Sequence, residues 1–153
     1  MLPACLIVER GLVREFQFNE PVVTRNLSAS PVVIASAVVL VNSPTDRVWL
    51  NASVDWFFSF TGGGSANVLF EITRDDTVIH SAMQSISGAA LVFGFVVYNH
   101  VNLQYVDLYP ASAAGLTPVL YKLQARVVSA PSGTAAVTSA VLSAAELALN
   151  PVR

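Results

Sequence analysis

The chain has 153 residues, 54% of them hydrophobic and only 12% charged, with a formal net charge of −2, a pI near 5.5 and a mean hydropathy of +0.58. One domain accommodates this length, and folding at this size buries roughly 70% of the unfolded chain's surface, so no disulfide framework is needed. Charge this sparse, against ~25% in a typical soluble domain, points to extensive burial, part of it between chains. The scattered Lys and Arg residues leave no basic footprint for nucleic acid or an anionic membrane.

Residues 1–8 lack a cationic region, and their apolar run is too short for a secretion signal. Leu2-Pro3-Ala4-Cys5 has the form of a lipoprotein cleavage box, which would require a longer precursor. Cys5 is the single cysteine, which leaves a reduced thiol or a bridge between chains. Residues 5–18 form an apolar arm, with Cys5, Leu6, Ile7, Val8, Leu12, Phe16 and Phe18 as its assembly residues. Either the arm pairs along its own sheet or it adds as a strand to a neighbour, because an extended segment supplies ladder hydrogen bonds to any open edge. Residues 1–20 are accordingly expected to be an arm or connector strand, and residues 21–153 a single domain.

The apolar runs 32–41 and 89–98 are about half the ~20 residues that a membrane-spanning helix needs. They are rich in Val and Ile and bounded by Pro31, Asn42, Gly88 and Asn99, so they are expected as buried strands, with 32–41 central and covered on both faces. In 48–60, Val48, Leu50, Ala52, Val54 and Trp56 alternate with Trp49, Asn51, Ser53 and Asp55, the period of a strand with one face on a core. A loop containing Gly62-Gly63-Gly64 is expected to be a hairpin tip leading to Val68, Phe70 and Ile72. Arg74-Asp75-Asp76-Thr77 then turns into Val78-Ile79-His80-Ser81. Asn99-His100 reads as a two-residue turn between strands 88–98 and 101–109. Val119, Tyr121, Leu123, Ala125 and Val127 mark the cleanest half-solvated strand. The tail beyond Gly133 mixes helix and strand signals and is taken as a long final strand. Short, evenly spaced strands without βα alternation predict an all-β antiparallel β-sandwich, best matched by a jelly roll.

Chemistry-bearing patterns are absent. His80 and His100 do not stand at metal-ligand spacing from each other or from Cys5, Asp75-Asp76 lacks the alternating acidic loop that wraps calcium, and no Lys-Ser/Thr pair follows the glycines to hold a phosphate. No catalytic, metal or cofactor residue is therefore assigned, and no enzyme is expected. Trp49, Tyr98, Tyr105 and Tyr109 are the candidate interface or stacking residues, since such rings pack first at a core or subunit junction and, where exposed, can stack on a sugar.

The segment from Val68 through Arg74-Asp75-Asp76-Thr77 to Ser81, with Val48-Trp49-Leu50-Asn51-Ala52-Ser53-Val54-Asp55-Trp56 and Tyr121-Lys122-Leu123-Gln124-Ala125, resembles small β proteins of Gram-positive spore formers. In these an apolar strand ends in Arg-Asp-Gly-Thr, where Asp76 here replaces the glycine. In layout the chain from Val32 onward is similar to the carboxy-terminal heads of exosporium collagen-like glycoproteins, with their tumour-necrosis-factor and complement-head jelly roll. The resemblance implies homotrimers or larger assemblies on a spore surface and no catalytic residues.

The expected function is a self-assembling structural protein of a bacterial spore surface or extracellular appendage, a subunit of a trimer, layer or filament. It would reach the spore or cell surface without a recognisable signal peptide, with itself as partner and neither nucleic acid nor membrane insertion. The alternative is a jelly-roll head that binds a surface carbohydrate or a receptor.

Overall fold

A computed structural model describes residues 13–19, 24–89, 94–108, 110 and 115–148, the first of these segments by its backbone. The described residues contain nine strands: β1 (Val13–Asn19), β2 (Arg25–Asn26), β3 (Val32–Val41), β4 (Arg47–Phe60), β5 (Gly64–Arg74), β6 (Thr77–Gly88), β7 (Phe95–Asp107), β8 (Thr117–Ser129) and β9 (Gly133–Leu147). They form two antiparallel sheets, ordered β1-β9-β4-β7 with β2 also on β9, and β3-β8-β5-β6. The protein is an all-β sandwich. The long tail is a strand, since its β-branched residues and serines find partners on both β4 and β1.

Alternation along β4 sets the core. Val48, Leu50, Ala52, Val54, Trp56, Phe58 and Phe60 are buried and meet Val68, Phe70 and Ile72 of β5 and Tyr121, Leu123 and Ala125 of β8. Trp56 packs tilted on Phe70 at 5.8 Å between centroids, and Phe60 stacks on Phe95 at 4.9 Å. Each such ring contributes roughly 1.5–3 kcal/mol by leaving water.

Three details differ from expectation. Residues 61–63 are not a hairpin tip, because β4 and β5 lie in different sheets and this loop carries the chain across the sandwich, held where Thr61 N donates to Ser132 O at 3.0 Å. Asn99-His100 is not a turn. Each residue from Phe95 to Asp107 pairs with β4 without slipping, placing Asn99 opposite Trp56 and His100 opposite Asp55, and neither has the positive φ that such a turn demands. β3 is an edge strand rather than a central one, and its outward face is uncovered, with Val38 and Leu40 exposed. Of the two pairings open to the arm, residues 13–19 take the one within their own sheet, on β9, while Cys5, Leu6, Ile7, Val8 and Leu12 lie outside the described residues.

The β5–β6 hairpin does turn at Asp75-Asp76, with φ of 45° and 69°, the pair of positive values that defines a type I′ turn. Asparagine and aspartate tolerate this region because their short polar side chains bond locally. Here the compensation comes from β8: Asp75 N donates to Leu120 O at 2.9 Å, Leu120 N donates back to Asp75 Oδ1 at 3.1 Å, and Lys122 Nζ donates to Asp76 Oδ1 at 2.6 Å.

Two polar clusters lock the sandwich internally. Arg74 Nη1 donates to both carboxylate oxygens of Asp107, at 2.7 and 3.0 Å, and the buried Tyr121 hydroxyl donates to Asp107 Oδ2 at 2.9 Å. Burial, then the adjacent carboxylate, pushes the Tyr121 phenol far above its ordinary range, so it stays a donor. Elsewhere the fully buried Glu146 accepts from Asn42 N at 2.6 Å and Asn42 Nδ2 at 2.7 Å, tying the β3–β4 loop to β9. Burial raises the Glu146 pKa above 4.5, against the Asn42 bonds, and a hydrogen bond and repulsion from buried Asp46 raise it further.

Tyr121→Phe should cost about 1–2 kcal/mol in urea unfolding, while Asp107→Ala, which removes the carboxylate that both Arg74 and Tyr121 contact, should cost about 3 kcal/mol or more; equal costs would mean that the phenol bond carries the cluster. For Glu146, the folded state holds the proton more tightly than the unfolded one. Its stabilisation is therefore complete below about pH 4.5 and is lost as pH rises through the raised folded value. Glu146→Gln should flatten this fall in melting temperature as pH rises above 4.5; an unchanged slope would assign the fall to other groups.

Candidate functional site

The outward face of the β9-β4-β7 sheet follows directly from register. Trp49, Asn51, Ser53, Asp55, Phe57 and Ser59 of β4 stand opposite Val106, Gln104, Asn102, His100, Tyr98 and Val96 of β7. On the other flank they face Ala145, Ser143, Val141, Ser139, Ala136 and Thr134 of β9, with a bulge that admits Thr138. Backbone pairing extends the rows to β1, where Phe16 is opposite Ala145 and Phe18 opposite Ser143. The charged or readily protonated groups among these β4, β7 and β9 positions are Asp55 and His100, which neutralise each other.

The second sheet's outward face is different. Its β8 row carries Lys122, Gln124 and Arg126; Gln124 Nε2 donates to Glu71 Oε2 at 3.0 Å and Arg126 Nε lies 3.9 Å from the same oxygen. That ladder sits beside exposed apolar side chains, Val33, Val38 and Leu40 of β3, Met83 of β6 and Val128 of β8. The first sheet's outward face differs in its aromatics, small residues and amides, with the Asp55–His100 ion pair at its centre and Arg47 at the start of its β4 row.

That pair is the polar centre of the site. His100 Nδ1 is 2.6 Å from Asp55 Oδ1, and Nε2 is 3.1 Å from Asn102 Oδ1 and 3.4 Å from Ser53 Oγ. Both ring nitrogens face acceptors, which favours the doubly protonated ring. The hydrogen bond to Asp55 raises the His100 pKa above 6.5, against slight desolvation, with Asn102 and the Asp55 charge adding to it. Ser53, His100 and Asp55 occur in the order of a nucleophile, base and orienting acid. However, Asn102 competes for Nε2 at the shorter distance, and Ser53 is paired on both sides within the ladder, opposite Asn102 and Val141, which commits its own backbone to strand pairing. The arrangement favours a held charge over a freed hydroxyl.

The chain matches no protein-family model and no curated protein.

Of the rings assigned from sequence, Trp49 is half-buried on this outward face and Tyr98 is 72% exposed on it, 5.6 Å from Phe57. Tyr105 is not with them: it is opposite inward-facing Leu50, joins the core and stacks on His80 at 5.2 Å. Tyr109 lies outside the described residues. A shallow hollow of about 560 Å³ beside Tyr98 is lined by Asp55, Trp56, Asn99, His100 and Thr138. Among the described residues no group of three or more His, Cys, Asp or Glu side chains could hold a metal. Sequence reasoning missed the Asp55–His100 pair because a turn at Asn99-His100 removes His100 from the ladder; the signal was the unbroken alternation from Val97 through Asn99, Val101 and Leu103.

The imidazole of His100 should titrate above pH 6.5 by NMR, and Asp55→Asn should return the midpoint toward 6.5. A midpoint unmoved by Asp55→Asn would mean that the pair does not form in solution.

Proposed function

We propose that this protein is a self-assembling structural subunit whose copies meet through the outward face of the β9-β4-β7 sheet. The observation that carries the reading is the near-absence of charge on that face beside aromatics. Depletion of charged residues with enrichment of Tyr, Trp and Phe is the compositional mark of an interface core. From Trp49 to Ser59 the face runs about 33 Å along the strands and about 14 Å across three of them, or roughly 460 Å² before side-chain relief and before β1 is added. That is the scale of the ~800 Å² each partner buries in a standard interface.

The strand orders β1-β9-β4-β7 and β3-β8-β5-β6 support a jelly roll, because most successive long strands alternate between sheets while β5–β6 is a hairpin within one. With that winding, a homotrimer or a larger assembly is the favoured form. A bacterial spore or cell surface is the favoured location, resting on the resemblance to exosporium head domains. The hollow beside Tyr98 favours a second reading, a head that stacks a surface carbohydrate on that ring, since a sugar takes an exposed aromatic flanked by a carboxylate and amides.

Sedimentation velocity separates the two. The native protein should sediment well above its 16.3 kDa chain mass. Tyr98→Asp, which would put an unpaired carboxylate in the contact, should weaken association about 100-fold or more while leaving the circular dichroism unchanged. A native monomer at all concentrations would overturn the self-assembly reading. Native assemblies that survive Tyr98→Asp would place the contact elsewhere.

A further inference from the structure

Beyond the face, the sandwich has edges, and they are guarded unequally. Native sheets protect edge strands with Lys, Pro, bulges or short length, because an open row of N–H and C=O groups templates another strand. The β3 edge is capped where Arg25 Nη1 donates to Val33 O at 2.9 Å. On β7, His100 N is taken by its neighbour's Asn99 Oδ1 at 2.9 Å. β6 has neither protection. It is the outer strand of its sheet, and from Thr77 to Gly88 it contains no Lys, Arg, Asp, Glu or Pro. Its one irregularity against β5 falls at its start, between Ile72 and Thr73 on the partner, after which pairing runs unbroken from His80 to Gly88. Among the described residues no hydrogen bond beyond the β5 ladder ends on its backbone.

We infer that the β6 edge is a second contact between copies, in which two β6 strands pair antiparallel about a two-fold axis and join the sheets of two subunits. The inference rests on the self-assembly reading, which supplies a second copy as the occupant. Self-pairing suits the sequence: centred on Gln84, it sets Ala82 opposite Ile86, Met83 opposite Ser85 and Ser81 opposite Ser87. No like charges meet, the condition that cross-strand pairing requires. The regular stretch gives roughly 30 Å of ladder. The β6 edge lies on the other sheet from the proposed face. An oligomer closed through the face therefore presents several edges outward, and pairing them links oligomers into a layer or filament.

The test is charge placement at two exposed edge positions. Met83→Lys with Ser85→Lys sets like charges opposite each other in the proposed register. Met83→Glu with Ser85→Lys changes the same positions but sets opposite charges together. By light scattering and negative-stain imaging, the first variant should stop at the compact oligomer and the second should extend as the wild type does. Equal extension by both variants, or equal arrest of both, would overturn this pairing. A wild type that never grows beyond a compact oligomer would overturn the edge contact and leave the face contact standing, whereas a wild-type monomer would overturn both.

Discussion

Burial of one face of β4 is the constraint on which the rest depends. Every second residue from Val48 to Phe60 is buried, and β4 has a long partner on each side, β7 and β9. With a period of two, satisfying the core face fixes which residues face outward. Trp49, Phe57, Tyr98 and the Asp55–His100 pair share one surface because the core claims their neighbours. Core and outward face are two sides of one alternation, which explains how so weakly charged a chain keeps a defined fold.

The polar clusters work inside that frame. Asp107 gathers Arg74 from β5 and Tyr121 from β8, joining the two sheets through one buried carboxylate. Glu146 holds the backbone of Asn42 and so fixes where the chain leaves β3 for β4. Gly133 marks a close approach of another kind: its φ is +152°, and a Cβ there would come within 2.1 Å of Ser59 O and 2.6 Å of the Phe58 ring, so any side chain would push β9 from β4.

Local alternation made much of this legible. The β4, β5 and β8 core residues stand out in the sequence because polar and apolar positions alternate there cleanly, and the turn at Asp75-Asp76 follows from its polar pair between apolar runs. What local signals misread was connection and pairing. The glycines at 62–64 have the flexibility of a hairpin tip, but whether the following strand returns to the same sheet depends on non-local burial. Asn99-His100 has turn-like composition, yet thirteen-residue pairing with β4 holds it extended, an instance of tertiary context overriding propensity. The doubly apolar β3 suggested a central strand; its second apolar face is exposed in the single chain, as is Tyr98. Asp55 and His100, 45 residues apart in sequence, meet through register alone.

Radical footprinting at the native concentration tests the central claim most directly. In a single chain, Tyr98 and Leu116 are comparably open, at 72% and 68% exposure, and only Tyr98 lies on the proposed contact face. The account predicts that, relative to a dilute sample, Tyr98 oxidation slows several-fold while Leu116 is unaffected. Oxidation of Tyr98 at the same rate in both samples would contradict it.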